Sequence, residues 1–184
     1  MKKLYIIALA LLAFSCSDDG GEANDFQLSY DAANDNAPVL LAGVHTAAAR
    51  FTPAQTNSLD GQFLERIDFY LQEYPDQCTV LVFDEGTNNS PGALLYSADV
   101  TFVTENFDWN THILTTPIQI TGDDIWLAIE VEHVDDYPSI GCDPGPANSN
   151  GDWMYSSSDS QWRTFRDRTG NAASINWNIR GYVN

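Results

Sequence analysis

From residue 26 onward, apolar and polar positions trade places over short distances. Segment 65–73 sets Ile67, Phe69 and Leu71 on one side and Arg66, Asp68, Tyr70 and Gln72 on the other, the two-residue period of a half-buried strand. Segment 124–133 repeats the pattern, with Ile125, Leu127, Ile129 and Val131 inward and Trp126, Ala128, Glu130 and Glu132 outward. Segment 78–84 is apolar on both faces, as a central strand would be. Further runs rich in β-branched and aromatic residues fall at 26–30, 47–52, 94–103, 109–115, 151–157, 161–166 and 175–183, with Gly, Pro, Asn, Asp and Ser between them. No stretch sustains a 3.6-residue period; residues 57–61 are expected to form one helical turn, and Ser156 to Ser160 a hairpin loop. About nine or ten antiparallel strands without interposed helices predict an all-β sandwich or barrel. The longest irregular region, 134–150, is a natural place to mount a binding surface.

The first residues follow another pattern. Lys2 and Lys3 precede an unbroken apolar run of 11 residues, Leu4 to Phe14, too short to span a hydrocarbon layer of roughly 30 Å as a helix. With Ser15 just before Cys16, residues 1–15 resemble a bacterial lipoprotein signal, which implies cleavage and acylation of Cys16; an ordinary secretory signal is the alternative. Residues 16–25 begin Cys-Ser-Asp-Asp-Gly-Gly-Glu, a composition that favours a flexible acidic tether. That run resembles the export signal of Bacteroidota-type surface lipoproteins, which implies an outer-membrane anchor and display to the medium. Residues 26–184 then form one domain, long enough to bury a sizeable core.

Charge narrows the partners. Both lysines of the chain lie in residues 1–15, leaving six arginines against 26 acidic residues. Such a surface repels nucleic acid and anionic headgroups, so a broad electrostatic partner would have to be cationic. With Cys16 acylated, Cys78 and Cys142 remain as an even pair in an oxidising compartment and are expected to be bridged; two separate buried thiols are the alternative.

Tyr30-Asp31, Arg50-Phe51-Thr52-Pro53, Ile67-Asp68-Phe69-Tyr70, Val80 to Asp84 and Pro91-Gly92 follow one another in an order that resembles accessory β-sandwich domains of secreted bacterial proteins. Trp109-Asn110, Ile125 to Glu130, Gly141-Cys142-Asp143 and Trp177 to Arg180 continue the likeness. The resemblance implies a jelly-roll-like sandwich that assists binding or stability and does not catalyse.

Catalytic raw material is thin. His45, His112 and His133 are far apart in sequence, and no nucleophile elbow, zinc-protease helix motif or phosphate-cradling glycine loop is present. Glu130 and Glu132 share one strand face, which suits solvated charges better than the two sides of a glycosidase site. Polysaccharide recognition is the sharper expectation, because exposed aromatics can stack on pyranose rings; Tyr70, Trp109, Trp126 and Trp153 are the candidates. Trp177 is expected in the core, in phase with Ile179 and Val183, and Trp162 over a hairpin. Asp31, Asp35 and Asp143 in loop-like segments are candidate ligands for a structural calcium ion. The expected role is a surface-displayed binding or adhesion module for polysaccharide or a partner protein, with a structural component of an envelope assembly second and a glycan-active enzyme third.

Overall fold

The computed structural model describes residues 26–184, so the signal segment, Cys16 and the tether lie outside the described residues. The described residues build ten strands: β1 (Phe26–Leu28), β2 (Gly43–Phe51), β3 (Phe63–Leu71), β4 (Gln77–Phe83), β5 (Leu94–Asp99), β6 (Asp108–Gln119), β7 (Ile125–His133), β8 (Trp153–Ser156), β9 (Gln161–Thr164) and β10 (Ile179–Val183). Among the described residues the helices are limited to α1 (Pro53–Thr56), a 3-10 turn (Asn57–Leu59) and α2 (Phe165–Arg168). Among the described residues no helix is long and apolar enough to cross a membrane.

The strands form two antiparallel sheets, one of four in the order β1-β10-β3-β6 and one of six in the order β5-β4-β7-β2-β8-β9. If the β8–β9 hairpin is set aside, the eight remaining strands divide four to each sheet, and nearly every connection between them crosses from one sheet to the other. This is the jelly-roll arrangement of a β-sandwich. The hairpin extends the larger sheet beyond β2, with Trp153 paired to Ala48 and Tyr155 to Thr46.

The core lies between the sheets. Ile67, Phe69 and Leu71 of β3, Val80 and Val82 of β4, Leu127, Ile129 and Val131 of β7, and Ile179 and Val183 of β10 are all buried, as the period-two pattern requires. Each such side chain contributes roughly 1.5–3 kcal/mol through its removal from water. Trp177 lies in the same core, as expected. The core is tight at Gly181, where a Cβ would stand 2.6 Å from Leu127 Cδ1 of the facing sheet and 2.9 Å from Leu64 Cδ1 of the neighbouring strand. β6 runs longer than its sequence pattern because it is an edge strand, where Pro117 costs no ladder bond.

The strand ends define two poles. Phe26 pairs with Val183 and Phe63 exchanges backbone hydrogen bonds with Asn184, so both ends of the described chain meet at one pole, the base. Segments 39–42, 72–76, 100–107 and 134–138 adjoin the other ends of β2, β3, β4, β5, β6 and β7 and form the opposite pole, the tip.

Cys78 and Cys142 are not joined: both are free, buried thiols. Cys78 faces inward on β4, and Cys142 lies on a segment bridged to Asn36 and Trp177. Each packs as a small apolar group of the core, and burial pushes both thiols up to about 12.

Candidate binding face

The outer face of the six-stranded sheet departs most from the sequence expectation. Its middle row is Leu81, Ala128, Ala48 and Trp153 in strand order. Toward the base the next row is Phe83, Trp126 and Arg50; toward the tip it is Thr79, Glu130, Thr46, Tyr155 and Trp162. The two alanines leave open space above the sheet. Trp162 of β9 lies 5.9 Å from Trp126 and 6.3 Å from Phe83 of β4, ring centre to ring centre. Four strand spacings separate those strands, about 19 Å at 4.8 Å each, so the two side chains must lie toward each other over the alanines.

The consequence is a second small core on the outside of the sandwich. Trp126, expected on the solvated face, is 0 % exposed, and Trp153 is 7 % exposed; their rings are 5.3 Å apart. Arg50 completes the cover, 5.5 Å from the Trp126 ring, while its Nε donates to Asp124 Oδ2 at 2.7 Å and its Nη1 to the Asn88 carbonyl at 3.2 Å. Neither indole N–H of Trp126 and Trp153 has an acceptor among the described residues. What reaches solvent is the layer above: Phe83, Tyr155 and Trp162, each half-buried, beside a polar strip of Thr79, Glu130 and Glu132, with Thr46 buried beneath it. The Thr46 hydroxyl donates to Glu130 Oε2 at 3.1 Å. Trp162, Tyr155 and Phe83 were not among the sequence candidates for contact. The small residues Ala48 and Ala128 at outward positions, which leave room above the sheet, were the signal for them.

Tyr70 and Trp109 lie on the outer face of the other sheet, so the four candidate aromatics divide two and two. Their rings meet edge to face at 5.9 Å, and Arg180 covers Trp109 with its guanidinium 4.0 Å from the ring. Arg180 is itself held by Asp31 at 2.8 Å.

The calcium candidates have other partners. The Asp31 side chain is fully buried and accepts from Arg180 and Asn178; Asp143 accepts from the backbone N–H groups of Ala32, Gly145 and Asn176 and from the Asn176 amide. Asp35 is exposed, and among the described residues no three His, Cys, Asp or Glu side chains converge as a metal cluster. Asp31 and Asp143 staple the segment after β1 to the sandwich.

His45 and His133 are buried near strand ends, and His112 is half-buried within β6. His45 Nε2 donates to the Leu41 carbonyl at 2.7 Å, His133 Nε2 bonds Ser139 Oγ at 2.9 Å, and His112 Nε2 bonds the Tyr96 hydroxyl at 2.8 Å. Burial lowers all three below the ordinary imidazole value.

Fold and face together define a jelly-roll sandwich with an aromatic, acid-edged outer sheet. No protein-family model, no curated protein and no solved structure matches this chain.

Proposed function

We propose that this chain is a non-catalytic binding module, held at an outer membrane by an acylated Cys16, that takes neutral polysaccharide on the outer face of its six-stranded sheet. One observation carries the reading: Phe83, Tyr155 and Trp162 lie side by side above a buried aromatic layer, next to a strip of hydroxyls and carboxylates. The apolar faces of pyranose rings desolvate cheaply against such rings, and sugar hydroxyls donate to carboxylates such as Glu130 and Glu132. The buried layer fixes the upper rings, so little side-chain freedom is lost on binding. The excess of acids over arginines favours neutral glycans over uronic or sulfated ones.

The test is retention of the soluble domain, residues 26–184, on insoluble neutral polysaccharides, followed by titration with soluble oligosaccharides of any that retain it. Trp162→Ala and Tyr155→Ala should each weaken binding about tenfold, the cost of one lost stacking contact. Trp109→Ala, on the opposite sheet, should leave it unchanged. Failure of every neutral polysaccharide to retain the domain, or equal binding by a folded Trp162→Ala protein, overturns the reading.

A further inference from the structure

The apolar side chains that the fold leaves in water are unevenly placed. Leu41, Tyr74, Phe102, Val103, Phe107 and Val134 all lie on the tip, with Phe102 95 %, Val103 78 % and Val134 72 % exposed. Monomeric proteins seldom expose apolar patches beyond about 300–600 Å² without a use for them.

The four tip segments are sewn to one another. The Tyr74 hydroxyl donates to Glu105 at 3.4 Å and the Phe107 N–H to the Gln72 carbonyl at 3.3 Å, joining 100–107 to 72–76. Asp76 Oδ2 accepts from the Val134 N–H at 2.8 Å, joining 72–76 to 134–138. Asp136 Oδ1 accepts from Ala42 at 3.0 Å, and Leu40 and Tyr137 exchange backbone bonds at 2.9 Å, joining 134–138 to 39–42. These bonds present the apolar residues on one prearranged platform, which lowers the ordering cost of binding.

The charges around the platform indicate its partner. The four segments carry Glu73, Asp76, Glu105, Asp135 and Asp136 and no lysine or arginine. All six arginines of the described domain lie elsewhere, at Arg50, Arg66, Arg163, Arg166, Arg168 and Arg180. An acid-rimmed tip repels anionic lipid headgroups and, with every copy negative, a second copy of itself. The platform also lies at the pole opposite Phe26.

We propose that the tip is a docking surface for a protein that offers an apolar face flanked by lysine or arginine. Phe102 and Val103 are the anchors, and the acidic ring sets orientation and on-rate. The proposal stands independently of glycan binding by the sheet face.

The test uses a synthetic amphipathic peptide with a leucine face and lysine flanks, titrated against the folded domain by fluorescence anisotropy. Wild type should bind, and Phe102→Ser with Val134→Ser should lose at least tenfold while melting as wild type does. Asp135→Asn with Asp136→Asn should flatten the salt dependence of binding, and a leucine–glutamate peptide should not bind. Equal affinity of wild type and the Phe102→Ser, Val134→Ser protein overturns the proposal. A blue shift of Phe102→Trp emission on phosphatidylcholine vesicles overturns it in favour of a lipid surface, and a dimer dissolved by Phe102→Ser overturns it in favour of a second copy.

Discussion

Trp126→Ala is the sharpest probe of the outer face. On a solvated strand face the substitution would change stability by no more than about 0.5 kcal/mol. The structure places the indole at 0 % exposure, between Trp153 at 5.3 Å and Trp162 at 5.9 Å, under Arg50. Truncation there removes a fully buried aromatic and leaves a cavity, which costs about 3–5 kcal/mol. The ring pairs account for roughly 0.5–1.5 kcal/mol apiece within that total, and the guanidinium contact for about 0.5–1. One contribution runs the other way: the indole N–H is buried without an acceptor, a penalty of about 1–3 kcal/mol that phenylalanine does not carry. Trp126→Phe should therefore be clearly milder than Trp126→Ala. Urea unfolding is the assay, read as a shift in midpoint at unchanged slope. A Trp126→Ala loss under about 1 kcal/mol would refute the second core, and equal losses for the two variants would refute the orphan donor.

Gly181→Val should destabilise by about 1–3 kcal/mol or more, because its side chain would collide with Leu127 and Leu64; a melting temperature at the wild-type value would contradict this. Because folded-state values of His45, His112 and His133 are lowered, the unfolded chain takes up protons first as pH falls. Their contribution is level above the ordinary value near 6.5 and turns destabilising below it, so urea midpoints should fall between pH 7.5 and 5.5, and less so in a protein with these histidines replaced by glutamine. Cys78 and Cys142, buried and held up to about 12, should be silent to a thiol reagent in the native protein and both react after unreduced unfolding; no thiol on unfolding would show a bridge.

Local alternation carried most of the fold. The inward set of β7 and β3 is buried as the pattern requires, and the strand count is met. The candidate face was only partly legible, because alternation tells which residues share a side and not what lies above that side. Trp126 is outward on its strand, as read, and yet buried, since its cover comes from Trp162, 36 positions away on a hairpin whose register depends on β2. Asp31 and Asp143 had the composition of cation ligands; that Arg180, Asn176 and Asn178 would converge on them depends on contacts more than 30 positions distant. The tip was least legible, because its parts come from four separated segments that the sandwich connections alone bring to one pole.

The staple made by Asp31 has a mechanical meaning. β1 holds β10 through only three residue pairs, and a pull on Phe26 away from the tip runs along the strand axis, loading those pairs in shear. Past the strand, the load would reach Asp31, whose sealed carboxylate grips Arg180 and Asn178, and then Ala32, held by Asp143. A domain gripped at its tip and tugged at its base would thus part at β1 first and at this clamp second, and Asp31→Asn should lower the force of the second event and not of the first.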